Sequence, residues 1–234
     1  MNKIDMTQSH DVIGEYRKNN FDAERRKYTD EGTKYAFDVL DGKIVTGYLI
    51  KLAAFRHLRD LQRQGQADFP YEYSPSHASK LLKFASICPN VDTEEPTKLM
   101  HWQEFIFSML FGWRNKEGGK RFTRAIVSVA RGQGKTYLMA ILMCYSYLIE
   151  SIGLFNQDYL VASINFKQTN KLYGYIKSML RKITAKEPFK SLAEETELST
   201  QSDQTVQKKT NNVLRAISFE SGQFDSYHFT TAIV

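Results

Sequence analysis

Apolar positions recur with helical spacing in three stretches before residue 114. From Tyr48 to Gln64 they return at three-residue steps and stop at Gly65, which predicts a helix with one buried face. A second helix is predicted from a cap at Ser76 to Pro89. The third stretch has the clearest periodicity, and its apolar stripe consists of Trp102, Phe105, Ile106, Met109, Leu110 and Trp113. Side chains on such a stripe, including both tryptophans, are expected in a core.

Beyond residue 120 the helical spacing gives way to short apolar runs that are rich in β-branched residues. Phe122–Ala130 is predicted to be a buried central strand, followed by a glycine loop and an apolar helix from about Gly134 to Glu150. The later elements predicted are a strand over 159–163, a helix over 166–182 and strands over 213–219 and 227–234. This alternation predicts an α/β fold with a mostly parallel sheet flanked by helices.

A polar linker containing Pro96 separates these two regions. We therefore predict a small N-terminal helical unit with its linker over residues 1–98 and an α/β core over residues 99–234. The first 45 residues are polar and rich in charge, which is typical of helical or mobile surface. The polar residues 184–212 are expected to run over the surface and to include short edge strands.

Composition excludes several classes of protein. The chain has 234 residues, of which 42% are apolar and 13% aromatic, so it is not a disordered, collagen-like or disulfide-stapled chain. Its two cysteines form no metal or redox motif, which favours a reducing compartment. The longest uncharged apolar stretch, Tyr137 to Ile149, is shorter than the ~20 residues of a membrane span, and we expect a soluble protein. A net charge of +6 allows a polyanionic partner without identifying one.

The candidate chemistry lies in residues 129–136, which read VARGQGKT. They fall between a predicted strand and a predicted helix, which is the context that a phosphate-binding loop requires. Gly132 and Gly134 allow a tight turn in which backbone N–H groups converge, and the helix N-terminus adds partial positive charge. Lys135 would reach the β- and γ-phosphates of a nucleotide, and the hydroxyl of Thr136 would bind Mg²⁺.

The loop departs from the usual G-x-x-x-x-G-K-[ST] pattern, because Val129 stands where the first glycine is expected. The alternative is a glycine turn before a helix with an exposed lysine, and the order of strand, loop and helix disfavours it. Arg131 has two open interpretations, a contact to the γ-phosphate or a surface arginine paired with an acid. The predicted nucleotide-binding loop consists of Arg131, Gly132, Gln133, Gly134, Lys135 and Thr136.

Four parts of the chain together resemble a known family. They are Ala53–Asp60, His101–Ile106 with Phe111–Arg114, Ala130–Thr136, and Val161–Ser163 with Gln168. The family is the large terminase subunit, the DNA-packaging ATPase of tailed bacteriophages, whose members also lack the first glycine and carry an arginine in the loop. The second part resembles the W-Q element of the family, and the similarity covers most of residues 45–234.

The resemblance implies a P-loop NTPase fold and a motor that uses ATP and Mg²⁺ to move double-stranded DNA into a capsid. Lys135 and Arg131 would then be the catalytic residues. The glutamine of the W-Q element contacts adenine in the family, so Gln103 becomes a candidate for base recognition, although the residues alone favour a solvent-facing glutamine. A neighbouring subunit supplies an arginine to the family's ATP site. Cations compatible either with such a role or with a solvated face are Lys167, Lys171 and Arg181.

The resemblance also implies partners and a location. The partners would be double-stranded DNA, the portal protein, the small terminase subunit and further copies of the chain in a ring, with no membrane. The location would be the cytoplasm of the bacterial host, and transiently the procapsid portal.

In the family, a strand like residues 227–234 runs into the Walker B acids, and a nuclease domain follows. We therefore expect residues 1–234 to be the N-terminal part of a larger motor, ending before those acids, and to bind nucleotide with little or no hydrolysis. The alternatives are another P-loop translocase or helicase-like ATPase, and a non-hydrolysing module that docks on a partner through residues 48–88.

Overall fold

The computed structural model describes residues 11–90, 92–96, 98–218 and 229–234, and they divide into two compact units. The first unit takes in the described residues up to Leu82 together with 99–125, and the second takes in 83–98 and 126–234. The division differs from the boundary predicted after residue 98, because residues 99–125 group with the helical unit.

The first unit is built mainly of helices. They are α1 (Val12–Lys18), α2 (Asp22–Lys27), α3 (Glu31–Leu40), α4 (Tyr48–Arg63) and α6 (His101–Gly112), while α5 (Pro75–Ala85) carries residues of both units. Two short strands, β1 (Tyr71–Tyr73) and β2 (Trp113–Asn115), pair antiparallel. The helices predicted around α4, α5 and α6 are present. Ser76 does not cap α5, since the helix already begins at Pro75 and Ser76 lies in its first turn.

The partners of α6 explain why residues 99–125 join the first unit. Its apolar stripe buries Phe105 and Met109, and Trp113 directly after it is 1% exposed, in one cluster with side chains of α3 and α4. Helix α3 is itself mostly buried, although it lies in the polar first 45 residues. Helices α3 and α6 approach each other closely at Gly32, where an added Cβ would lie 2.4 Å from the Cβ of Ser108 on α6.

The second unit is built around a five-stranded sheet. Its strands are β3 (Asp158–Ser163), β4 (Leu198–Thr200), β5 (Gln204–Gln207), β6 (Asn212–Ser218) and β7 (Phe229–Ile233), in the order β4-β5-β6-β3-β7. Strand β3 runs parallel to β6 and β7, whereas β4 and β5 are antiparallel additions beside β6. The α/β class is confirmed, but the sheet is mixed and not mostly parallel. The polar segment 184–212 supplies two short strands at one edge of the sheet, as predicted, but it also buries Thr205 and Gln207, which was not predicted.

Three helices accompany this sheet. They are α7 (Lys135–Tyr145), which continues as a π-helical segment over Ser146–Glu150, α8 (Phe166–Ile183) and α9 (Phe189–Glu195). The predictions for α7 and α8 therefore hold. No helix of the described ranges combines the length and the apolar character that crossing a bilayer requires.

The predicted central strand over Phe122–Ala130 is wrong. This segment has no regular secondary structure, and most of its side chains are exposed, with Ile126 at 98%. A strand is stable only when its backbone groups pair with a neighbour, and no strand among the described residues pairs with this segment. The β-branched residues that prompted the prediction favour an extended backbone, but they do not provide a neighbouring strand for it to pair with.

Candidate nucleotide-binding site

The glycine loop ends in the backbone conformation that its two glycines permit. Gly132 has φ 84° and Gly134 has φ 74°, both in the left-handed region that side chains other than glycine rarely adopt. Gly134 is also the residue that precedes the first turn of α7. Helix α7 therefore begins directly after the turn. The N–H groups of its first turn have no partner within the helix, which favours binding of an anion.

Helix α7 is anchored by its apolar side chains and by a hydrogen bond from Tyr137. Leu138 and Ile141 are buried, and the Tyr137 hydroxyl donates to the backbone carbonyl of Cys88 at 2.7 Å. The burial of Cys88 and Cys144 raises the pKa of both thiols, so they remain neutral. The first turn of the helix is thus held against the body of the unit while the loop before it stays exposed.

The loop opens on a cavity of about 890 Å³ that lies within the second unit. Its lining comprises residues 130–137, Met139, Asn90, Asp92, Ala162, Ser163, Gln168, Lys171, Leu172, Tyr175, Ile233 and Val234. Among the described residues of this lining, the charged side chains are those of Arg131, Lys135, Lys171 and Asp92. The volume suits a small-molecule ligand, and the excess of positive charge favours an anionic one.

All six predicted loop residues line this cavity. Lys135 donates from Nζ to the backbone carbonyl of Val129, so its ammonium folds across the loop. Thr136 is half-buried at the start of α7. Arg131 is exposed and forms no ion pair with any residue that the structure describes. The structure therefore does not show the pairing with an acid that one of its two interpretations required.

Gln103 belongs to the first unit, on α6. It is 5% exposed, and its Oε1 accepts a hydrogen bond from the backbone N–H of Met100 at 2.9 Å. The amide therefore closes the first turn of α6, and the solvent-facing alternative for this glutamine is wrong. Its role in base recognition stays a prediction.

The wall formed by β3 and α8 is the part of the cavity that sequence reasoning did not assign. Gln168 entered only through the resemblance, and Lys171 was one of three cations without a chosen role. The linker residues Asn90 and Asp92 carried no signal at all, because they lie about 40 residues before the loop in a polar stretch. Residues 90 and 92 line the same cavity as the loop, β3 and α8 because the tertiary fold brings these distant segments together.

A group of possible metal ligands lies in the first unit. Ligand atoms of Glu31, His101 and Glu104 lie within 4.8 Å of one another, with 3.0 Å between His101 Nδ1 and Glu104 Oε2. Two of these residues are exposed, and exposed acidic groups commonly occur without a metal. None of the carboxylates of the described cavity lining belongs to such a group.

Comparisons with known proteins identify the family of this chain. The family model for the terminase large subunit, ATPase domain, matches residues 101–234, which is more than half of the chain. No curated protein matches. A crystal structure of the HK97 bacteriophage large terminase matches at 18% identity and a TM-score of 0.47, covering 64% of this chain and 28% of that protein, a likeness too low to carry an argument. The family match covers the loop, α7, the sheet and α8, and the chain belongs to the family of the terminase large subunit ATPase domain.

Proposed function

We propose that this chain binds ATP·Mg²⁺ in the cavity beside the glycine loop, as the ATPase part of a motor that moves double-stranded DNA into a capsid. The observation that carries the nucleotide site is the loop itself. Two glycines with positive φ lead into the N-terminus of α7, at a cavity that three cations line. This arrangement supplies converging donors and positive charge for a polyphosphate.

Each loop residue has a chemical role in this proposal. Lys135 leaves the Val129 carbonyl and binds the β- and γ-phosphates, and Arg131 stabilises charge on the terminal phosphate. Thr136 offers a hydroxyl oxygen, a ligand type that Mg²⁺ accepts together with phosphate oxygens. The ion, when bound, neutralises phosphate charge.

The coupling to DNA and the partners follow from the family. In this proposal the motor acts on double-stranded DNA together with the portal protein, the small terminase subunit and further copies of the chain. It works in the cytoplasm of the bacterial host and transiently at the procapsid portal. The net charge of +6 is compatible with a polyanionic substrate. The chain spans 28% of the HK97 large terminase, so activities of a whole terminase, including a nuclease, belong to this proposal only.

Hydrolysis by residues 1–234 is expected to be slow. A general base that orients water must lie close to the terminal phosphate. In the described lining of the cavity the carboxylate is Asp92, which lies in a turn after Asn90 and not at the carboxyl end of a strand. We therefore expect binding with little turnover, and rapid release of phosphate by this chain would contradict that part of the proposal.

The test is a calorimetric titration of ATP·Mg²⁺ into the wild type, Lys135→Ala and Lys167→Ala. Lys167 is exposed on α8 and does not line the cavity, so it controls for the loss of one positive charge. We expect the wild type and Lys167→Ala to bind alike, and Lys135→Ala to lose most of its affinity. Equal binding by Lys135→Ala, or no binding by the folded wild type, would overturn the nucleotide site.

A further inference from the structure

Helix α8 presents two different faces. One face is buried in the second unit through Tyr173, Ile176, Met179 and Leu180. The residues that line the cavity lie on another face, at i, i+3, i+4 and i+7, and are Gln168, Lys171, Leu172 and Tyr175. Because the first face anchors the helix, the second is held in place as a wall of the cavity.

The start of this wall is tied down by hydrogen bonds. The Asn165 side chain accepts from the backbone N–H of Gln168 at 3.0 Å, and the Thr169 hydroxyl donates to the Asn165 carbonyl at 3.2 Å. At the carboxyl end of β3, the Ser163 hydroxyl donates to Gln168 Oε1 at 2.8 Å. This bond occupies the acceptor of the amide, so both N–H donors of Gln168 Nε2 remain available to a ligand.

The Lys171 ammonium is the cation that this wall adds to the cavity. It is exposed and forms no hydrogen bond or ion pair with the described part of the chain. By contrast, Lys182 on the same helix pairs with Glu94 at 2.8 Å, and Lys135 in the cavity lining donates to a loop carbonyl. Lys171 therefore brings three N–H donors that no described residue accepts, and a full charge, to the cavity.

The donors from α8 have a defined chemical complement. Lys171 and the free end of Gln168 offer donors without an acceptor, which suits a phosphate oxygen better than a base edge or a sugar hydroxyl. In the proposed function the glycine loop and Lys135 bind the β- and γ-phosphates from one side, while α8 comes from a different part of the chain. We propose that Lys171, with Gln168 beside it, binds the terminal phosphate of ATP held by the loop of the same chain.

This inference rests on the nucleotide site proposed above and gives that site selectivity for a triphosphate. It also distinguishes Lys171 from the other cations of α8. Lys167 and Arg181 do not line the cavity, whereas Lys171 lies on the wall of its own chain's site. The contact is therefore made within one chain, and its effect does not depend on a neighbouring subunit.

The experiment compares ATP·Mg²⁺ with ADP·Mg²⁺ by calorimetry on the full chain, for the wild type, Lys171→Ala, Lys171→Arg and Lys167→Ala. Lys171→Ala is expected to lower ATP affinity about tenfold and ADP affinity less than about threefold, because one charge-assisted contact to the terminal phosphate is lost. Lys171→Arg should retain most of the preference for ATP, and Lys167→Ala should match the wild type. The effect should be the same at two protein concentrations ten times apart.

The outcomes separate this inference from the nucleotide site itself. If Lys135→Ala loses binding while Lys171→Ala binds ATP like the wild type, the site stands and the role of Lys171 is overturned. An equal loss for ATP and ADP would overturn the assignment to the terminal phosphate. A loss that appears only at the higher protein concentration would overturn the contact within one chain. A folded wild type that binds neither nucleotide would overturn both proposals.

Discussion

The buried histidine of the first unit makes its stability depend on pH in a predictable direction. His57 is 1% exposed, and Trp113 Nε1 donates to its Nδ1 at 3.2 Å. Because an indole N–H can only donate, the ring proton lies on Nε2, which is 2.9 Å from the Thr33 hydroxyl. Burial above all, and then the nearby Arg56 and Arg121, lower the pKa of His57 to about 3.

The size of the effect follows from the two pKa values. In the unfolded chain His57 has its ordinary pKa near 6.5, whereas in the folded chain it stays neutral down to about pH 3. Between these values the unfolded chain binds a proton that the folded chain does not. The stabilising contribution is therefore complete above pH 6.5 and declines as the pH falls toward 3. Between pH 7 and pH 5 the loss amounts to roughly 2 kcal/mol.

The perturbation that isolates this group is His57→Phe. The variant cannot titrate at position 57, and it leaves the buried Trp113 N–H and Thr33 hydroxyl without their partner. Each orphaned group costs ~1–3 kcal/mol. At pH 7 the variant should therefore be clearly less stable than the wild type. At pH 5 the difference between the two should be smaller by about 2 kcal/mol, since only the wild type loses the His57 contribution.

Urea unfolding followed by tryptophan fluorescence measures this difference. The chain has two tryptophans, Trp102 and Trp113, and both belong to the first unit, so the signal reports the unit that contains His57. Carboxylates that titrate in this range are common to both proteins and cancel in the comparison. A difference that stays constant within ~0.5 kcal/mol from pH 7 to pH 5 would refute the reasoning, because His57 would then titrate alike in both states.

Further predictions concern helix packing and capping, and thermal melts followed by circular dichroism check them. Gly32→Ala should lower the free energy of unfolding by ~1–3 kcal/mol, because its Cβ would lie 2.4 Å from that of Ser108. Gly174→Ala, inside α8 with nothing within 4 Å, should raise it by ~0.5–1 kcal/mol, and shifts of the same sign for both variants would contradict the packing argument. Asn165→Ala should lower the free energy of unfolding by ~1 kcal/mol, because it removes the cap on the Gln168 N–H. Asn165→Asp should retain the cap and the wild-type stability. An unchanged melting temperature for Asn165→Ala would mean that the cap contributes nothing.

The backbone of the glycine loop is the part of the candidate site that follows from local sequence, although the strand predicted before it is not found in the described residues. A positive φ at Gly132 and Gly134 and the start of a helix at Lys135 depend on neighbours within a few residues. The identities of those residues therefore report the local geometry directly. The wall of α8 is different, because Lys171 and Lys167 are both exposed lysines on one helix. Only the packing of the other face of α8 decides which of them lines the cavity.

The same distinction separates the elements that were predicted from those that were not. Helices α4, α6 and α8 follow from the spacing of apolar residues, since that spacing reflects the 3.6-residue turn of the helix itself. The segment 122–130 has the composition of a strand, yet a strand exists only beside another strand. Composition cannot supply that partner.

By itself, the sequence determined helices α4 to α8, the glycine loop and the family to which the chain belongs, because each depends on residues that are close along the chain. The tertiary structure decided that residues 99–125 pack with the first unit, that the sheet is mixed, and that α8 completes the cavity. These features depend on contacts between segments far apart in the chain. Such contacts form only when burial and hydrogen bonding select one partner among several that the local pattern allows.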